Sequence, residues 1–130
     1  MTVLIPDTHH DLFTKPLVAT CITIMPDGQP HGTIIWCRLN GTHIQFGLLN
    51  DTQKYTNLQA NPRVSLVIVD TNEPYRYIEI RGTVTMSSEN ASEIIMDIAR
   101  KYHRPDFDIE PGKDRRVIAT LTPTKVIPHG

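Results

Sequence analysis

Asn40-Gly41 is the strongest short hairpin signal in this chain, since both residues tolerate the left-handed backbone values of a type I′ turn. It lies between two predicted strands, Pro30 to Arg38 and His43 to Leu48. A second turn, Pro26-Asp27-Gly28, stands before the first of them: Pro26 presets φ, Asp27 favours a turn and Gly28 accepts positive φ. Leu17 to Met25, rich in Val, Ile and Thr, reads as the strand entering that turn. Three consecutive strands with tight connections predict an antiparallel meander. No other feature narrows the choice of folds as much.

Beyond the meander, Phe46 to Arg63 reads as a strand end, a polar turn, one brief helix and a stop. Asp51 or Thr52 can cap the helix, and Asn61 before Pro62 ends it after about two turns. Lys54 is out of place there. A cation in the first turn faces the positive end of the helix dipole, at a cost of roughly 0.3–1 kcal/mol. A bound anion would reverse that sign, because free N–H groups and Lys54 would converge on it. The plainer alternative pairs Lys54 with Asp51 or leaves it in solvent.

Arg63 to Asp70 is a nearly continuous apolar run, which predicts a strand buried on both sides. Tyr75 to Met86 is the next strand, with Tyr77, Glu79 and Arg81 on one face and Gly82 marking a bulge or a close backbone approach. Glu79 and Arg81 read as a solvated or interface-paired face rather than a catalytic pair. A longer helix runs from Ser88 or Asn90 to about His103, and its stripe of Ala91, Ile94, Ile95, Ile98, Ala99 and Tyr102 predicts core packing. Asn90 and Glu93 suggest a capping box, and Asp97 and Lys101 an i,i+4 pair. Thr8 to Phe13 reads as one helical turn, Asp106 to Asp114 as irregular, and Val117 to Leu121 with Lys125 to Ile127 as closing strands. The expected fold is mostly β with minor α. It is a single domain spanning 1–130, a split β-barrel of six to seven largely antiparallel strands flanked by helices.

A formal net charge of −1 gives no basis for broad polyanion binding. With aromatics at 6%, a single-strand nucleic-acid barrel lacks its stacking residues. No bilayer-length apolar run or signal-peptide pattern is seen, so the expectation is a cytoplasmic protein with no membrane partner. Cys21 and Cys37 fall about three residues out of register across the first hairpin, and two buried thiols are expected. The six histidines, His9, His10, His31, His43, His103 and His129, show no ligand spacing, so no metal site is expected. Nucleophile elbow, P-loop and dinucleotide fingerprint are all lacking, so enzymatic chemistry here would belong to a bound cofactor.

Leu17-Val18-Ala19-Thr20, Pro26-Asp27-Gly28-Gln29-Pro30-His31, Trp36, Lys54-Tyr55-Thr56-Asn57-Leu58, Asn61-Pro62-Arg63-Val64 and Tyr75 to Gly82 follow one another in an order and spacing that resembles the pyridoxamine 5′-phosphate oxidase-like superfamily. Within it the chain is most similar to the flavin and deazaflavin oxidoreductases of split β-barrel fold, over about Leu12 to Ile127. The resemblance implies a homodimer with two cofactor sites at the subunit interface. It implies a phosphate grip on Gly47, Leu48, Leu49, Thr52, Gln53 and Lys54, with Lys54 matching the family's phosphate-binding lysine. Pro30, His31, Gly32 and Thr33 would line the ring system, and the second subunit would add Tyr75, Arg76 and Tyr77. Departures are present. Thr52 stands where many relatives carry Arg, and Leu48 and Leu49 where they carry Ser or Thr, which removes donors from a phosphate site. The C-terminal Arg- and His-bearing segment of true pyridoxamine phosphate oxidases is not evident, so vitamin B6 synthesis is not implied.

The implied activity is hydride transfer between reduced deazaflavin (coenzyme F-420) or FMN and a small organic substrate. The alternative is a non-catalytic dimeric flavin- or haem-type carrier module. No catalytic acid or base is assigned; His31 and Tyr77 are candidates for proton delivery only.

Overall fold

The computed structural model describes residues 2–130. A 3-10 turn at Asp7–His9 and a short helix α1 (Asp11–Thr14) precede β1 (Ala19–Ile24) and β2 (Pro30–Ile35). Then come β3 (Arg38–Asn40), β4 (His43–Leu49), α2 (Gln53–Ala60), β5 (Arg63–Val69), β6 (Tyr77–Ser87), α3 (Ala91–Lys101) and β7 (Arg116–His129). The strands form one antiparallel sheet in the order β2-β1-β5-β6-β7-β4-β3.

The two edges of this sheet are neighbours in sequence. Only Trp36 and Cys37 separate β2 from β3, so the sheet curls until its edges approach, and a short covalent link bridges them in place of a hydrogen-bonded ladder. This corrects the expected meander. The predicted strand from Pro30 to Arg38 is two strands, one pairing with β1 and the other with β4. The break is held by α3: the Tyr102 hydroxyl accepts from Cys37 N–H at 3.1 Å and donates to the Leu17 carbonyl at 2.7 Å, and Lys101 donates to the Cys37 carbonyl at 2.7 Å. The second hairpin also differs from expectation. Asn40 pairs with His43, so the central turn residues are Gly41 and Thr42, and only Gly41 has positive φ, which excludes type I′.

Inside the curl lie Phe13, Ile44, Phe46, Leu66, Ile68, Ile78, Ile80 and Leu121, all essentially inaccessible. Each such side chain stabilises by roughly 1.5–3 kcal/mol. β5 alternates rather than being buried on both sides: Val64, Leu66 and Ile68 point inward while Val69 stays 42% exposed. At Gly82 a Cβ would stand 2.2 Å from the Thr122 carbonyl oxygen, and the ladder shifts register there, leaving Thr124 as the extra residue beside Pro123. That bulge lets a proline sit within one continuous closing strand, where the sequence suggested two.

α2 forms as expected, with Thr52 rather than Asp51 as its cap: the Thr52 hydroxyl accepts from Tyr55 N–H at 3.3 Å. α3 departs from expectation twice. Asn90 is left-handed (φ 56°) and makes no side-chain cap, so the capping box is not formed. Asp97 pairs with Arg38 at 2.6 Å rather than with Lys101.

Candidate functional site

A cleft of about 310 Å³ opens where the two sheet edges approach. The end of β2 (Ile34, Ile35) with Trp36 forms one wall and β4 (Gly47, Leu48, Leu49) the other. Ile95 and Ile98 of α3 also line it, together with Phe107, Lys54 and Arg116.

Ladder geometry supplies its backbone donors. Asn50 N–H donates to the Arg115 carbonyl at 2.8 Å, so even-numbered positions of β4 face β7, and Gly47 and Leu49 turn their polar groups the other way. On that side β3 covers only His43 to Gln45. The Leu49 carbonyl accepts from the Thr52 hydroxyl at 2.9 Å, in keeping with that direction. On β2, Met25 N–H donates to the Gln29 carbonyl, which assigns the odd positions to β1 and turns Gly32 and Ile34 outward. Gly47 also admits α3, since a Cβ there would lie 2.8 Å from Ile95 Cγ1.

The charges in the cleft are all of one sign. Lys54 is half-buried in the first turn of α2, and its Nζ donates to Thr33 Oγ1 at 3.2 Å and lies 5.8 Å from the Phe46 ring centroid. The expected alternative partner, Asp51, is bonded to Arg115 instead, and no ion pair to Lys54 exists among the described residues. Burial pushes the Lys54 pKa down. Cys21 does not neutralise it, because burial raises that thiol to about 11. Arg116 is held by neutral acceptors: its Nε donates to the Ile109 carbonyl at 3.2 Å and an Nη to the Pro111 carbonyl at 2.8 Å. Its guanidinium lies 5.2 Å from the Phe107 centroid. Trp36 stacks on Tyr102 at 5.0 Å and meets Phe107 edge-on at 6.1 Å.

Of the residues anticipated from sequence, Gly47, Leu48, Leu49 and Lys54 line this cleft, and Thr33 joins them through Lys54. His31 shares the inward side of β2 with Thr33, and its Nδ1 is buried with no hydrogen-bond partner. Pro30 and Gly32 lie on the exposed side of β2. The Thr52 hydroxyl is occupied in capping α2, and the Gln53 amide donates to Asn57 at 2.8 Å. Tyr75 is 92% exposed, and Tyr77 stacks on His129 at 4.2 Å. Arg76 is fully engaged within its own chain, with Asp11, Asp70 and the Thr8 carbonyl.

Arg116, Phe107, Trp36, Ile95 and Ile98 were not anticipated as site residues. The isoleucines belong to the stripe assigned to the core; Ile98 is buried as expected, and Ile95 is only partly buried, both also lining the cleft. Arg116 follows a polar stretch without periodicity; its one sequence signal is the adjacency of two arginines, only one of which finds a carboxylate.

This donor set suits a flat anionic group: apolar and aromatic walls, two cations, outward backbone groups and no carboxylate. No nucleophile or carboxylic acid lines the cleft. Among the described residues no cluster of three or more His, Cys, Asp or Glu could hold a metal, and no helix is long and apolar enough to cross a membrane.

The chain belongs to the pyridoxamine 5′-phosphate oxidase family, whose model matches residues 5–130. A solved F420 reductase is similar at 30% identity and a TM-score of 0.88, the match covering 95% of this chain and 98% of that one. A conserved hypothetical protein from Mycobacterium tuberculosis matches at 24% identity and a TM-score of 0.79, covering 98% and 86% of the two chains. HupZ of Group A Streptococcus matches at 18% and 0.72, covering 96% and 94%; these last two bear on the fold alone. No curated protein matches the chain.

Proposed function

We propose that this chain, acting as a single split-barrel domain and as a homodimer, is an oxidoreductase that moves hydride between reduced deazaflavin or FMN and a small organic substrate. The observation that carries the reading is Lys54: a half-buried cation with no counter-ion, beside strand edges whose N–H groups face the same cleft. Similarity to an F420 reductase at 30% identity favours deazaflavin over FMN. The substitutions at Leu48, Leu49 and Thr52 point the same way, since they take hydroxyl and guanidinium donors from a compact phosphate site.

When bound, the deazaflavin or flavin ring supplies the hydride chemistry. The protein's part is positional. Lys54 holds an acidic group of the cofactor, with Gly47 and Leu49 N–H as neighbouring donors. Trp36, Leu48, Ile95, Ile98 and Phe107 exclude water from the ring. Thr33 fixes the Lys54 ammonium, and His31, with its free Nδ1, is the side chain nearest in kind to a proton carrier. From a partner subunit, Tyr75 is the residue of the anticipated trio with a side chain free to reach a neighbouring cofactor.

The second reading, a non-catalytic carrier, is favoured by the absence of a carboxylic acid or nucleophile from the cleft lining. Parallel fluorescence titrations with FMN and deazaflavin, followed by reduction and addition of acceptors, separate the two. Deazaflavin binding with turnover supports the oxidoreductase. Binding without turnover across acceptor classes supports the carrier. No binding of either cofactor overturns the oxidoreductase and leaves of the carrier only its haem-type form, which a haem titration then tests.

A further inference from the structure

The cleft contains a second cation that one phosphate group at Lys54 leaves unused. Arg116 makes no ion pair among the described residues; Asp108 influences it electrostatically but stands outside pairing distance, and Arg115 adds like charge beside it. Two backbone carbonyls, Ile109 and Pro111, fix the plane of the guanidinium from one side, and Phe107 lies against it. Neutral acceptors orient a guanidinium without cancelling its charge. Those carbonyls take two of the five guanidinium donors; Nη1 makes no hydrogen bond among the described residues, and the remaining donors of the fork can meet a planar oxyanion bidentately. The cleft lining contains no carboxylate; Arg116 also borders another depression with Glu93 and Asp114, neither of which pairs with it.

We infer that Arg116 is the receptor for a carboxylate or phosphate group on a ligand lying against Trp36 and Phe107, distinct from the anion held by Lys54. This rests on the cleft being a ligand site, as proposed above. The ligand thus carries an oxyanion next to a flat or apolar body. The group has two possible sources: a further acidic group of the cofactor, or a carboxylate on the acceptor substrate.

Trp36 is the only tryptophan in the chain and lines the same cleft, so its fluorescence reads occupancy directly. The test titrates the full-length protein with benzoate and with its neutral isostere benzamide. Benzoate is expected to bind at least about tenfold more tightly than benzamide, the scale of a charge-assisted hydrogen bond. Arg116→Gln is expected to remove that preference. Arg116→Lys, which keeps the charge but loses the fork, is expected to retain part of it. Near-ultraviolet circular dichroism of Trp36 checks that each variant keeps the packing of the loop. If Arg116→Gln disorders it, Arg116→Lys alone decides, and wild-type affinity for benzoate in that variant overturns the assignment of the fork.

Equal binding of benzoate and benzamide to the native protein overturns the proposal whatever the cofactor titrations give. If the benzoate preference is present and is lost in Arg116→Gln but no flavin binds, the Arg116 receptor stands and the proposed function fails. Displacement of benzoate by deazaflavin assigns the oxyanion to the cofactor. Simultaneous binding assigns it to the acceptor.

Discussion

Two cationic sites in this molecule use similar side chains for opposite ends. At the Arg76 clamp, one guanidinium meets Asp11 at 2.5 Å and Asp70 at 3.0 Å and reaches the Thr8 carbonyl, tying the N-terminal turn to the loop before β6. In the cleft, Lys54 and Arg116 rest on a hydroxyl and two carbonyls, and no acid answers either charge. The first arrangement is electrically complete. The second has no acid among the described residues, and in the proposed function a ligand completes it. A neutral acceptor alone does not mark a binding cation, since Lys101 is held by the Cys37 carbonyl and serves the fold; Lys54 and Arg116 differ from it in lining the cleft.

Exchanging the roles of the two sites tests this contrast. The largest expected effect is Lys54→Ala, which should weaken binding of an anionic cofactor by about 2 kcal/mol, or about 30-fold; fluorescence titration measures it, and unchanged affinity would put Lys54 back among solvated surface cations. Arg76→Met should do the reverse, lowering Tm by roughly 5 °C while leaving cofactor affinity as it was; calorimetry beside the same titration shows whether the two effects separate.

Lys54→Met should stabilise the ligand-free protein by roughly 0.5–1 kcal/mol, because it removes a desolvated ammonium with no ion pair among the described residues, and should weaken binding of the anionic cofactor about as much as Lys54→Ala does. A loss of stability on chemical denaturation would mean that Lys54 has a structural partner after all.

The smallest effects are those of pH. The Lys54 pKa is lowered in the folded protein by burial, so between that value and the ordinary lysine value the unfolded chain binds more protons. Ligand-free stability should therefore rise slightly across that alkaline window, while anion affinity falls as the ammonium discharges. At the clamp the slope has the same sign in a different window, because the lowered carboxylates also leave the unfolded chain binding more protons. Asp11 is held low chiefly by its hydrogen bonds to Arg76, and Asp70 chiefly by Asn72 N–H with Arg76 assisting. Their contribution is present above the ordinary carboxylate pKa and is lost as pH falls through the depressed folded values. Denaturation curves across acid and alkaline pH test both windows.

The sequence disclosed most where the physics is local. The β1–β2 hairpin, the α2 stop at Asn61-Pro62 and the Gly82 bulge each follow from the backbone freedom of one or two residues. Lys54 was visible because it contradicts the dipole of its own helix. The division of Pro30 to Arg38 into two strands was not, because it depends on Tyr102 and Lys101, more than sixty residues away, binding the Cys37 backbone. The place of Arg116 in the cleft and the intrachain bonding of Arg76 are hidden for a related reason. A sequence displays the charge but not the acceptor, and here the acceptors come from distant loops.

The Trp36-Cys37 link carries one more consequence. From Ile35 to Arg38 there are three residue steps, which can span at most about 11 Å. That is roughly two inter-strand spacings. The link therefore limits how far β2 and β3 can part at Trp36, while the distance from β2 to the uncovered end of β4 is left to the curl of the sheet. The cleft is tied at one end by covalent bonds, so it can widen away from Trp36 but not at it.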